Sequence, residues 1–121
     1  GNAEGGRLIM AAGHCHAPSC VSIELFRNDT RTPKLLCRNV PRPGKGNFPE
    51  DKWDEAGYIV IPPCLWSDDP SEGLQPTEWF PNDTPLFSIK RNRNIDAGHF
   101  GEMASWQMRA VPFPSEPPTF I

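Results

Sequence analysis

Proline decides most of what this chain can become. Fifteen prolines are scattered through 121 residues, and with ten glycines they exceed a fifth of the sequence. A proline inside a helix removes a backbone donor and clashes with the preceding turn, at a cost of roughly 3 kcal/mol. Long helices are therefore excluded. The chain must be built from short extended pieces joined by turns and loops.

The apolar residues agree with that reading. In Val21 to Phe26, Val21, Ile23 and Leu25 alternate with Ser22 and Glu24, the period of a half-buried strand. Asn28-Asp29-Thr30 and Pro33 then mark a turn, and Lys34 to Arg38 returns to complete a hairpin. Tyr58-Ile59-Val60-Ile61, stopped by Pro62-Pro63, reads as a central strand covered on both faces. Leu86 to Arg91 alternates with Phe87 and Ile89 expected inward and Ser88 and Lys90 outward. In Phe100 to Val111, a strand places Ala104, Trp106, Met108 and Ala110 on one face, a better stripe than a helix offers. With Arg7 to Ala12 as the first strand, about six strands are expected, separated by long loops at Val40 to Glu55 and Cys64 to Asn82. The fold class is all-β, a small antiparallel sandwich or barrel with Pro/Gly-rich loops. Its single domain spans 1–111, and 112–121 is an extended Pro-rich C-terminal tail.

The length suits one domain with a core of its own. A formal charge of −3 argues against a general nucleic-acid binder. No apolar stretch approaches the ~18 residues of a membrane span. Four cysteines, Cys15, Cys20, Cys37 and Cys64, allow three pairings, among which a Cys37–Cys64 staple between strands is reasonable. Asn28-Asp29-Thr30 and Asn82-Asp83-Thr84 are glycan-acceptor tripeptides, the second weakened by Pro85. Even cysteines and these tripeptides favour a secreted or extracytoplasmic compartment.

Two groups of residues carry chemistry. Trp53, Trp66 and Trp79 fall in or beside the long loops with Asp68 and Asp69 close by. An exposed indole stacks on the apolar face of a sugar, and neighbouring carboxylates accept hydrogen bonds from its hydroxyls. These five residues are the candidate ligand-binding set of a non-enzymatic module that presents loop tryptophans to a glycan or protein surface and uses no cofactor. The other group is His14-Cys15-His16, with His99 further on. Two histidines one residue apart on a strand share a face and can ligate one divalent transition metal, with His99 and a carboxylate, Glu24 or Glu102, completing the set. That alternative is a small metal-dependent β-barrel enzyme. A third reading makes the chain an assembly component that packs on copies of itself.

Overall fold

The computed structural model describes residues 4–16, 19–47, 50, 56, 59–93, 98 and 102–113. Within them the order is β1 (Gly5–Cys15), β2 (Cys20–Arg27), β3 (Lys34–Asn39), β4 (Arg42–Pro43), β5 (Ile59–Val60), β6 (Cys64–Leu65), a 3₁₀ turn (Pro70–Glu72), β7 (Trp79–Pro81), β8 (Leu86–Asn92) and β9 (Ala104–Phe113). All the pairings between strands are antiparallel.

The molecule is a two-sheet sandwich. In the first sheet β1 is central: β9 covers one edge along its whole length, and the other edge is shared by β7 at Gly5–Arg7 and β6 at Met10–Ala11. In the second sheet β2 lies between β3 and β8. A separate ribbon pairs β4 with β5. Gly13 lets β1 approach β2, since a Cβ there would lie 2.6 Å from Ile23 Cγ2 and 3.0 Å from Asn39 Oδ1.

The core lies between the sheets. Ala11, Leu25 and Cys37 form one buried cluster, and Cys15, Cys20 and Ile23 form another; Trp106 packs against both. Burying an Ile or Leu side chain contributes roughly 1.5–3 kcal/mol. Two disulfides add to this. Cys15–Cys20 joins the end of β1 to the start of β2, and Cys37–Cys64 ties β3 to β6, one sheet to the other. Asn39, buried beside the second bridge, accepts a 2.8 Å hydrogen bond from Gly13 N–H and donates to Cys37 Sγ.

Fold class, the β2–β3 hairpin and the face of β9 that carries Ala104, Trp106, Met108 and Ala110 agree with the sequence. The register sets these four opposite Cys15, Gly13, Ala11 and Leu8 of β1. Other expectations need correction. Tyr58 lies outside the described residues, and the rest of its run does not form a central strand: among the described residues Ile59 and Val60 pair with a two-residue partner, and Ile59 is 52% exposed. The central positions belong to β1 and β2. Val21 is 40% exposed because the β2–β8 register shifts between Cys20 and Ser22 and turns it out of alternation. Ser22 and Glu24, expected at the surface, are buried. The faces of β8 are inverted. Ser88 and Lys90 lie opposite the core residues Leu25 and Ile23, whereas Phe87 stacks on Phe26 on the outer face, ring centroids 4.9 Å apart. The loop from Cys64 to Asn82 holds β6, the 3₁₀ turn and β7, and β9 continues through Pro112 and Phe113.

Candidate functional site

The loop between β6 and β7 is a closed, internally bonded structure. Trp66 N–H donates to Ile9 O at 3.0 Å, anchoring its start on β1, and a bridge from Trp66 to Gln75 closes its neck. At its tip Asp69 caps the 3₁₀ turn, its Oδ1 accepting from Ser71 N–H at 2.9 Å and Ser71 Oγ at 2.7 Å, while Gly73 at φ 68° ends it in the left-handed region that glycine tolerates.

Between this loop and the outer face of β1 and β9 runs a groove of about 350 Å³. Trp66, which also packs against the Ala11–Leu25–Cys37 core cluster, lines it, with Ile9 and Val111 on the sheet side. The polar part is a three-residue network. Arg7 donates to Thr77 Oγ1 at 2.8 Å, Thr77 Oγ1 donates to Asp68 Oδ2 at 2.7 Å, and Thr77 N–H donates to Asp68 Oδ1 at 2.8 Å. Arg7 Nη1 also lies 3.4 Å from Asp68 Oδ2. The hydrogen bonds from Thr77, followed by the charge of Arg7, hold the Asp68 carboxyl below its ordinary 3.8. Ser71 lowers Asp69 in the same way. Glu72 completes the rim. A half-buried tryptophan beside a fixed cation, carboxylates and a hydroxyl makes a lining suited to a polar ligand with one apolar face.

Of the five residues nominated as ligand-binding, Trp66 and Asp68 meet in this groove. Asp69 acts as a cap. Trp79 lies on the same outer face opposite Arg7, half-buried, and its ring occupies the space above Gly5, where a Cβ would come within 2.7 Å of Cζ2. Its Nε1 is buried without an acceptor among the described residues. Trp53 lies outside the described residues. Arg7, Thr77, Ile9 and Val111 were missed. They come from three different parts of the chain, and only the β1 register and the loop closure join them.

The histidines form a second locus at the far end of β1. His14 and His16 sit edge to face with ring centroids 5.3 Å apart, and neither ring has a hydrogen-bond partner among the described residues. Cys15 and Cys20 are bridged and offer no thiolate. Glu24 lies on the outer face of the other sheet, 3.4 Å from Arg91 and 4.0 Å from Arg38, and so does not meet the histidines. Glu102 is close to this end, but its carboxylate pairs with Lys90 and accepts from Ser19 Oγ at 2.8 Å. Among the described residues no group of three His, Cys, Asp or Glu side chains is placed to hold a metal. His99 lies outside them.

A second concavity, about 320 Å³, opens between β8 and β9, reaches Leu36 of β3 and Phe80 and Pro81 of β7, and has Leu8, Leu86, Met108 and Ala110 among its walls. No helix among the described residues is long and apolar enough to cross a membrane. Comparison of the chain with known family models, curated proteins and solved structures finds no match.

Proposed function

We propose that this chain is a non-enzymatic binding module and that the groove beside Trp66 receives a glycan. The observation that carries the reading is the meeting of Trp66 with the Arg7–Thr77–Asp68 network in one concavity. A pyranose ring stacks its C–H face on the indole, while its hydroxyls donate to Asp68 and Glu72 and accept from Arg7. The internal bonds of the network keep these groups fixed before binding, which lowers the ordering cost of association. Screening the protein on a glycan array, followed by titration of the best ligand, tests this. Trp66→Phe keeps an apolar wall but shrinks the stacking face, and Arg7→Met removes a donor; each is expected to weaken binding about tenfold, which corresponds to about 1.4 kcal/mol. An array without ligands, together with capture of a protein partner that both substitutions disrupt, would redirect the groove to a protein surface.

A second reading rests on the His14–His16 pair. Two adjacent imidazoles without hydrogen-bond partners among the described residues are a half-set of ligands for a divalent transition metal, and His99 is the candidate to extend it. Elemental analysis of protein purified without added metal tests this reading. Near-stoichiometric zinc, copper or iron, lost in His14→Ala, supports a metal-dependent enzyme. Metal-free protein that also fails to bind added metal removes it.

A further inference from the structure

Two tripeptides in this chain have the form that accepts N-linked glycans, and the fold treats them very differently. We infer that Asn28 is an N-linked glycan acceptor and that Asn82 is not. The cysteines supply the compartment: all four are paired, none is free, and stable bridges of this kind belong to oxidising, secretory environments.

Asn28 follows β2 directly, at the head of the turn that leads to β3. It is exposed, as are Asp29 and Thr30. Its backbone is fixed, with its N–H donating to Pro85 O at 2.9 Å, but its side-chain amide makes no hydrogen bond to any described residue. Asp29 is clasped by the Arg27 guanidinium at 2.8 and 2.7 Å, and Thr30 Oγ1 donates to Thr32 O at 2.9 Å. The turn therefore has a set shape without using the acceptor amide, and a sugar attached there displaces no hydrogen bond among the described residues.

Asn82 is also exposed, and both tripeptides bond their Asn N–H and Thr hydroxyl to backbone carbonyls; what sets the second apart is the burial of its threonine, the proline that follows and the cleft beside it. Thr84 is half-buried and its Oγ1 donates to Pro81 O at 2.7 Å. Asn82 N–H donates to Glu4 O at 2.7 Å. Pro85 holds Thr84 in extended backbone and leaves position 85 without an N–H, so this segment cannot curl freely around a transferase. Asn82 and Thr84 also line the cleft between β8 and β9, so a sugar there would crowd its mouth.

The transfer needs a lipid-pyrophosphate-linked oligosaccharide as donor. The Asn28 amide nitrogen attacks the anomeric carbon and the N–C bond forms. The C–O bond to pyrophosphate breaks with its electron pair leaving on the phosphate oxygen, and the amide proton passes to a base of the transferase. Asn28 stays an amide, now N-substituted.

The test is expression of the whole chain behind a signal peptide in a eukaryotic secretory host. Intact mass is read on the combined cell and medium fractions, before and after a peptide N-glycosidase. One glycan is expected, absent in Asn28→Gln and in Thr30→Ala and retained in Asn82→Gln. Peptide mapping after the glycosidase should find aspartate at position 28. Protein that carries no glycan overturns the inference, as does a glycan that survives Asn28→Gln or is lost in Asn82→Gln.

Discussion

The two long edges of the sandwich are closed in opposite ways. Along the β3–β6 edge the sheets are joined covalently by Cys37–Cys64, and Asn39 fills the space behind the bridge by bonding to the β1 backbone and to sulfur. Along the β8–β9 edge the sheets part. Met108 and Leu86 face inward yet stay 37% and 40% exposed, and a cleft remains between them. Polar contacts hold this side: Trp106 Nε1–H donates to Ser88 Oγ at 2.8 Å, and Lys90 pairs with Glu102. The contrast explains why a core-facing strand can carry Ser88 and Lys90. Near an open edge such groups find partners and water, whereas beside the closed edge each buried polar atom needs an internal partner. Closure of a small sandwich is thus local: a crosslinked edge and a cleft that opens at the other edge share one core.

The contrast can be broken or sharpened by experiment. Removing the Cys37–Cys64 bridge by paired alanine substitution should have the largest effect. The bridge spans 27 residues, so its chain-entropy contribution is about 3–4 kcal/mol. The Cys15–Cys20 bridge spans five, for about 2 kcal/mol on the same scale. Urea denaturation of the two double variants should rank them in that order, and a reversed ranking would show that the closed edge does not depend on its crosslink. Next come single changes on the closed side. Asn39→Ala leaves Gly13 N–H buried without its acceptor, and Gly13→Ala drives a Cβ into Ile23; each should cost about 1–3 kcal/mol. On the open side Ala110→Leu projects into the cleft and should change stability by no more than about 0.5 kcal/mol. If it costs as much as Gly13→Ala, the edges do not differ in packing.

The smallest effect concerns acid. Asp68 is lowered by Thr77 and Arg7, so the loop tie it makes is complete above the ordinary value of 3.8 and is lost as pH falls through the lower folded value. The Trp66 indole resonance should therefore hold steady down to about pH 4 and move only below that. In Asp68→Asn the movement should vanish; if it persists, another carboxylate controls the loop.

Several elements were legible without coordinates because their local signals agreed. The β2–β3 hairpin had alternation on its first arm, an apolar return through Leu35, Leu36 and Cys37 and Asn-Asp-Thr between them, and β9 alternated strictly around Trp106. The inverted faces of β8 were not legible. Phe87 and Ile89 are apolar and Ser88 and Lys90 polar, so period two predicts the wrong side unless it is known that Trp106 and Glu102 wait across the gap. Trp66 and Asp68 were visible in the candidate site through residue type alone. Arg7 and Thr77 carried no such signal, since an arginine in a first strand and a threonine in a loop are ordinary until register brings them together.

By itself, then, the sequence determined the class of structure. Prolines at this density exclude long helices, alternation demands strands with one face buried, and both follow from backbone sterics and the pleat, which act over a few residues. Which strand lies at the centre, which cysteines meet, which face of β8 turns inward and which side chains share the Trp66 groove were decided only by the tertiary structure. Those outcomes depend on contacts between residues far apart in the chain, where a one-residue register shift or a single bridge changes every neighbour.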